Sequence, residues 1–185
     1  MTRLNGSQVA PEVAKALFGV HHYATKSTAL PEEMTHLIFL RVSQINGCAH
    51  CIDLRTRDLL KTMPADKVAL LPVWREVPHL FSDPYRAALD WAEEVTNVST
   101  THASDEAYAA AAAAFEAKDL VDLTIAIAAM NAFNRLGAPF RLPVAAKPLR
   151  HDLDRSRQGA LNDRRSESEW SGEAAQFSRA PCFLF

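Results

Sequence analysis

Several things are scarce in this chain, and each scarcity removes a class of protein. Only three cysteines occur in 185 residues. Two lie close together and the third, Cys182, is remote, so no second pair is present to complete a four-cysteine zinc site. The formal net charge is -2, which supplies no long-range attraction to nucleic acid or to an anionic membrane. The opening MTRLNGSQVAPE has no apolar run behind its basic residue and does not read as a secretory signal. Apolar runs such as IAIAAM (Ile125–Met130) fall far short of a membrane span. There is no internal repeat, no glycine-rich phosphate loop and no convincing Ser-His-Asp arrangement. A cytoplasmic location is the resulting expectation. In that compartment structural disulfides are rare, and a close cysteine pair is more often catalytic or metal-binding.

What remains is an ordinary globular composition, 48% hydrophobic and 23% charged, in a chain long enough for one domain with a real core. The punctuation is helical throughout, and the expected fold class is all-α. A first helix is expected from Pro11 to about Thr25, with Val13, Leu17 and Val20 on one face. A second starts near Pro31, with Glu32 and Glu33 suiting the positive end of its dipole. Gly47 should break the chain, and a third helix should run from Cys48 to Lys61. A short helix, Asp66 to Leu71, should end at Pro72. Ser82 is expected to cap Asp83 to Val95, and Ser104 to cap a helix centred on AYAAAAAAFEA, anchored by Tyr108 and Phe115. The last helix, DLVDLTIAIAAMNAFNRLG, is apolar nearly all round and should be central. Asp119 is its expected cap, and Gly137 followed by Pro139 its expected stop. The domain is drawn over residues 1–147. Residues 148–185 mix Arg, Asp, Glu and Ser without apolar period and read as a polar tail, mobile or loosely docked. The tail holds Cys182, for which no catalytic role is expected, and ends in the apolar PCFLF.

The chemistry concentrates in INGCAHCIDLR. Cysteines at i and i+3 of a helix lie on one face with Cα atoms roughly 5 Å apart, inside the disulfide range of about 4.4–6.8 Å. Unpaired N–H groups at a helix start favour thiolate over thiol, and thiolate is the nucleophile toward a peroxide oxygen or another disulfide. Three readings compete for Cys48 and Cys51: a redox pair, half of a zinc site completed by His50 and His36, or two inert core residues. The spacing favours the first and leaves the other two open.

The surrounding residues go further. The stretch LPEEMTHLIFLRVSQINGCAHCIDLRTRDLL resembles the core motif of the AhpD-like, carboxymuconolactone decarboxylase-like superfamily. Its members typically carry a helix such as LRELIxLRVSQLNGC followed by CIDMHTRDA. The resemblance runs on through LLPVWREVPHLFSDPYRAALDWAEEVTNVSTTHASDEAYAA and LVDLTIAIAAMNAFNRLGAPFRLP, nearly all of residues 8–143. It implies an AhpD-like all-α helical domain and a homo-oligomer, often a trimer or hexamer. For members that keep both cysteines it implies an antioxidant oxidoreductase, a peroxidase with a redox-active disulfide. By that resemblance Cys51 attacks the peroxide and Cys48 resolves the sulfenic acid into a disulfide. The histidine before the second cysteine is kept as His50. Two relay positions depart from the pattern: His36 stands where the family has glutamate, and Arg55 where it has histidine. Arg55 lies at i+4 from Cys51 and can stabilise a thiolate, but it stays protonated and cannot act as a base. His36 can take a proton near neutral pH.

The expected partners are therefore a hydroperoxide substrate, a thiol or dithiol reductant that can be a protein, and further copies of the chain. No nucleic acid, membrane, metal or organic cofactor is expected. A lactone decarboxylase and a redox sensor or scaffold without turnover are the competing functions. Among other residues, adjacent His21 and His22 point apart on a helix, so one is expected packed and one exposed. Asn131 and Asn134 are expected to serve structure, holding the loop beside the cysteines or a subunit seam. Trp74 and Trp91 are expected as core or interface anchors, and Glu93–Glu94 as a solvated helical face.

Overall fold

The computed structural model of the chain describes residues 3–144. The expected tail, with Cys182 and the terminal PCFLF, lies outside the described residues. Within them every assigned element is helical. In chain order these are α1 (Gly6–Val9), α2 (Pro11–Lys26), α3 (Glu32–Ile45), α4 (Ala49–Leu59), α5 (Ala65–Leu70), α6 (Asp83–Thr96), α7 (Val98–Thr101), α8 (Asp105–Ala114) and α9 (Ala117–Gly137). Two short 3-10 segments, Leu71–Glu76 and Pro78–Leu80, bridge α5 and α6. Pro72 therefore does not end the ordered backbone. A proline fits the first turn of a helix, where its missing N–H has no partner to lose, and here it opens the 3-10 segment.

The core is built around α3 and α9. Helix α3 packs against α4, α6 and α9, and α9 packs against α2, α3 and α6. Leu37, Ile38, Phe39, Leu40 and Val42 of α3 are fully buried, each worth about 1.5–3 kcal/mol of transfer free energy. From α9, Leu123, Ala126 and Ile127 are equally buried, so the apolar helix is central, as its composition implies. The Ser104 hydroxyl caps α8 by accepting from the Ala107 N–H. Only Ala107 and Ala111 of that helix are buried, so one edge of the alanine run meets the core while its other faces are open. Tyr108 is exposed, with its ring edge-on to Trp91.

Four local expectations are corrected. Ser82 precedes α6 but makes no side-chain cap bond. Helix α9 starts at Ala117, so Asp119 lies inside its first turn rather than at the cap, where its charge still suits the helix dipole. The expected face of α2 is not a buried stripe: Val13 is 66% exposed and Val20 also exposed, with Leu17 half-buried between them. Glu93 is no solvated surface residue: it accepts from Arg41 Nε at 2.7 Å and Trp74 Nε1 at 2.8 Å, and pairs with Arg75. Burial alone would raise its pKa, but these donors outweigh that and hold it below the usual glutamate value. Trp74 and Trp91 are both buried, the latter donating to Thr124 Oγ1 at 2.9 Å.

Candidate redox-active site

The turn that presents the cysteines is a helix C-cap and a helix N-cap in succession. Gly47 has φ +65°, the left-handed conformation that glycine adopts without steric penalty. Around it, the Gly47 N–H bonds Gln44 O at 3.2 Å and the Cys48 N–H bonds Ser43 O at 3.1 Å. That pair of bonds is a Schellman turn closing α3. The next residue in line, Cys48, is extended and is the N-cap of α4, its Sγ accepting from the Cys51 N–H at 3.4 Å. Cys48 and Cys51 form a disulfide with Cα atoms 5.3 Å apart. Cys48 is wholly buried and Cys51 is 6% exposed.

An amide network anchors this turn to α9. Asn46 Nδ2 donates to Asn131 Oδ1 at 2.9 Å and Asn134 Oδ1 at 3.1 Å, while Asn134 Nδ2 donates to Ser43 Oγ at 3.1 Å. Ser43 in turn donates to Phe39 O at 2.7 Å. Of the two roles proposed for the asparagines, holding the loop beside the cysteines is the one seen. At the far end of α9 a second Schellman turn forms, with Arg141 at φ +49° in the left-handed position. Its bonds are Arg141 N–H to Ala138 O at 3.1 Å and Leu142 N–H to Gly137 O at 3.0 Å. Helix α9 thus stops where expected, at Gly137, without Gly137 itself taking the left-handed conformation. That glycine is the last residue of α9, and it lies against the two sulfurs.

The remaining expected site residues fall into two places. His50, on the first turn of α4, has Nδ1 2.6 Å from Pro143 O. A carbonyl only accepts, so Nδ1 is the donor in this contact. His36 and Arg55 instead meet in a cleft of about 530 Å³ between α2, α3 and α4. His21, Lys26, Glu32, Asp58 and Lys61 also line it, whereas the cysteines do not. Arg55 is 8% exposed. Its Nη2 donates to His21 Nε2 at 2.9 Å, its Nη1 to Asp58 Oδ2 at 3.2 Å, and its guanidinium lies 5.0 Å above the Phe39 ring. Burial lowers the Arg55 pKa, opposed by Asp58.

His21 stacks on Phe39. Burial first, then the Arg55 charge, pushes its pKa down to about 4. The same two causes lower His36. Its Nε2 lies 3.4 Å from Glu32 Oε1, while its Nδ1 is buried without a protein partner. Both histidines are thus neutral near pH 7, and His36 retains the acceptor nitrogen that a base requires. Sequence reasoning singled out His21 only through its neighbour His22, which is exposed. The contact with Arg55 joins residues 34 positions apart, and no local spacing signals it. Asp58 was legible in principle, lying at i+3 from Arg55.

The carboxymuconolactone decarboxylase family model matches residues 11–94. The uncharacterized protein YdfG of Bacillus subtilis is 31% identical over 146 residues, covering 78% of this chain and 98% of YdfG. The chain belongs to the carboxymuconolactone decarboxylase family. A second relative, the uncharacterized protein YnjA of Escherichia coli, is 30% identical over 119 residues, 64% of either chain. Among solved structures, a protein of unknown function from Agrobacterium tumefaciens, described in connection with AhpD and antioxidant defence, superposes with TM-score 0.76 at 34% identity. That match covers 80% of this chain and 100% of the other. The debrominase Bmp8 shares the fold, with TM-score 0.64 and 20% identity over 74% of this chain and 73% of its own. The fold thus serves more than one chemistry, and function has to be argued from the site.

Proposed function

We propose that this family member is a thiol-dependent peroxidase or disulfide oxidoreductase working through Cys48 and Cys51. One observation carries the reading: the pair forms a disulfide at a helix N-terminus, with Cys48 wholly buried and Cys51 slightly less so. Cys51, the less buried of the two, is the proposed nucleophile. As thiolate it attacks the outer oxygen of a hydroperoxide. The O–O bond breaks, the alcohol leaves with a proton, and Cys51 becomes a sulfenic acid. Cys48 then attacks the Cys51 sulfur, forming the disulfide and releasing water. An external dithiol returns two electrons and two protons. Its thiolate attacks Cys51, and Cys48 leaves as a thiolate that the Cys51 N–H and the start of α4 stabilise. A leaving thiol of lowered pKa departs faster.

His36, neutral and with Nδ1 free, is the proposed proton carrier; Arg55 is the proposed source of positive potential for the Cys51 thiolate. His50 is proposed to act through its Nε2, its other nitrogen being held by Pro143. A lactone decarboxylase would leave the cysteine pair without a role. A redox sensor lacking turnover is the second reading, favoured by the engagement of Arg55 with His21 and Asp58. Counting free thiols before and after one equivalent of hydroperoxide separates these. The peroxidase loses two thiols and regains them with dithiol over many cycles, a sensor does so once, and a decarboxylase is unaffected. Peptide masses should place the two-hydrogen loss on the Cys48–Cys51 peptide. Oxidation that instead joins either residue to Cys182 overturns the scheme.

A further inference from the structure

Gly137 is needed neither by the turn that follows it nor by its own backbone. Its φ is outside the left-handed region, and the residue that takes that conformation at the end of α9 is Arg141. What distinguishes the position is the neighbour that a methyl group there would strike. That neighbour is the redox pair. A Cβ at position 137 would stand 2.6 Å from Cys48 Sγ and 3.2 Å from Cys51 Sγ. The first distance is far inside van der Waals contact. The other glycine within a long helix, Gly19, has nothing within 4 Å of the same imagined atom.

We infer that Gly137 is a positioning residue of the redox centre: its bare Cα lets α9 lie directly on the Cys48–Cys51 pair, and a side chain there shifts the pair from disulfide toward dithiol. The inference rests on the redox reading of those cysteines. The direction follows from geometry. In the disulfide both sulfurs are tied into one ring and Cys48 Sγ cannot turn away from α9 by itself. In the dithiol that tie is gone, and Cys48 Sγ can shift without carrying Cys51 with it. A methyl at 137 therefore penalises the oxidised form more than the reduced one. Glycine keeps the oxidised form accessible, which a centre that must cycle through a disulfide requires.

The full chain is equilibrated in buffers of reduced and oxidised dithiothreitol, quenched by alkylation, and the Cys48–Cys51 peptide is weighed. Reduction breaks the protein S–S bond as the dithiothreitol ring closes, with two electrons and two protons transferred. Gly137→Ala is expected to favour the dithiol at least tenfold more than wild type, about 30 mV for a two-electron couple. Gly19→Ala, the same exchange in open space, is expected to match wild type. A second arm measures thermal midpoints of Gly137→Ala, Cys48→Ala and the double variant. Removing the Cys48 sulfur should recover most of the stability lost in Gly137→Ala, and if that single variant does not fold, the double variant should. A folded Gly137→Ala with an unchanged equilibrium, or one moved toward disulfide, overturns the inference. So does a stability loss undiminished in the Cys48→Ala background. If the wild-type pair never closes in any buffer, the redox reading fails, and the stability arm still reports on the contact.

Discussion

Arg55 is a cation buried on a helix that also carries the reactive pair, and its tolerance there has a plain cause. Asp58 neutralises it, His21 accepts from it and the Phe39 face lies beneath it, although its Nε is buried without a partner. As a permanent cation it can lower the Cys51 pKa but cannot return a proton to a departing alkoxide. Arg55→His combined with His36→Glu should therefore raise steady-state hydroperoxide consumption. General acid–base assistance is worth about 10²–10⁴-fold, which bounds the gain. Arg55→Ala should raise the Cys51 thiol pKa and slow its alkylation. No gain in the double variant, with unchanged alkylation in Arg55→Ala, would take both positions out of the chemistry and favour the sensor. His21 supplies a test by pH. Its folded pKa of about 4 lies below the ordinary 6.5, so as pH falls the unfolded chain takes the proton first. Stability is then lost progressively between about pH 6.5 and 4. His21→Gln keeps an acceptor for Arg55 but does not titrate, and should flatten that limb of a plot of thermal midpoint against pH. His36, shifted the same way, keeps part of the slope.

At the scale of elements, two Schellman turns and one amide network set where the sulfurs stand. The first turn uses Gly47 and hands Cys48 to the start of α4. The second uses Arg141 in a conformation that disfavours side chains. Arg141→Gly should stabilise the chain by roughly 0.5–1 kcal/mol in urea unfolding. A loss of stability instead would mean that its side chain contributes more than its backbone costs. The network behaves oppositely. Asn134 is buried, accepts from Asn46 and donates to Ser43. Asn134→Ala leaves those partners short of a hydrogen bond and should cost about 1–3 kcal/mol. Because Asn46 adjoins Gly47, the same variant should also speed amide hydrogen exchange at residues 46–48, whereas a change elsewhere in the core would lower stability without singling out that turn.

For the whole molecule, the described residues leave apolar side chains uncovered along α2. Phe18 is 55% exposed, with Val13 and Val20 on the same helix also open. Val13 and Val20 share one face of α2 and Phe18 lies on another, so apolar side chains on two sides of the helix are available to a partner, and we propose that α2 contributes to a homo-oligomer, the state the family resemblance implies. Light scattering at micromolar concentration should give a mass well above 20.4 kDa. Phe18→Glu should lower that mass while leaving the helical circular dichroism intact. A monomeric wild type would remove the proposal. No helix among the described residues is long and apolar enough to cross a membrane.

Local chemistry was legible in the sequence. The approximate extent of the main helices (though not the Ser82 and Asp119 caps), the break at Gly47, the centrality of the last helix and the proximity of Cys48 to Cys51 all depend on neighbours within about five positions, where spacing and backbone preference decide the outcome. The family followed from longer motifs of the same kind. Long-range placement was not legible. That His21 holds Arg55, that Glu93 collects two arginines and a tryptophan, and that Gly137 is a bare surface against two sulfurs are facts about helices meeting at particular depths and rotations. A glycine looks the same in sequence whether it ends a helix or admits a neighbour. The two roles separate only when the packing of α9 on α4 shows which atoms a methyl group would strike.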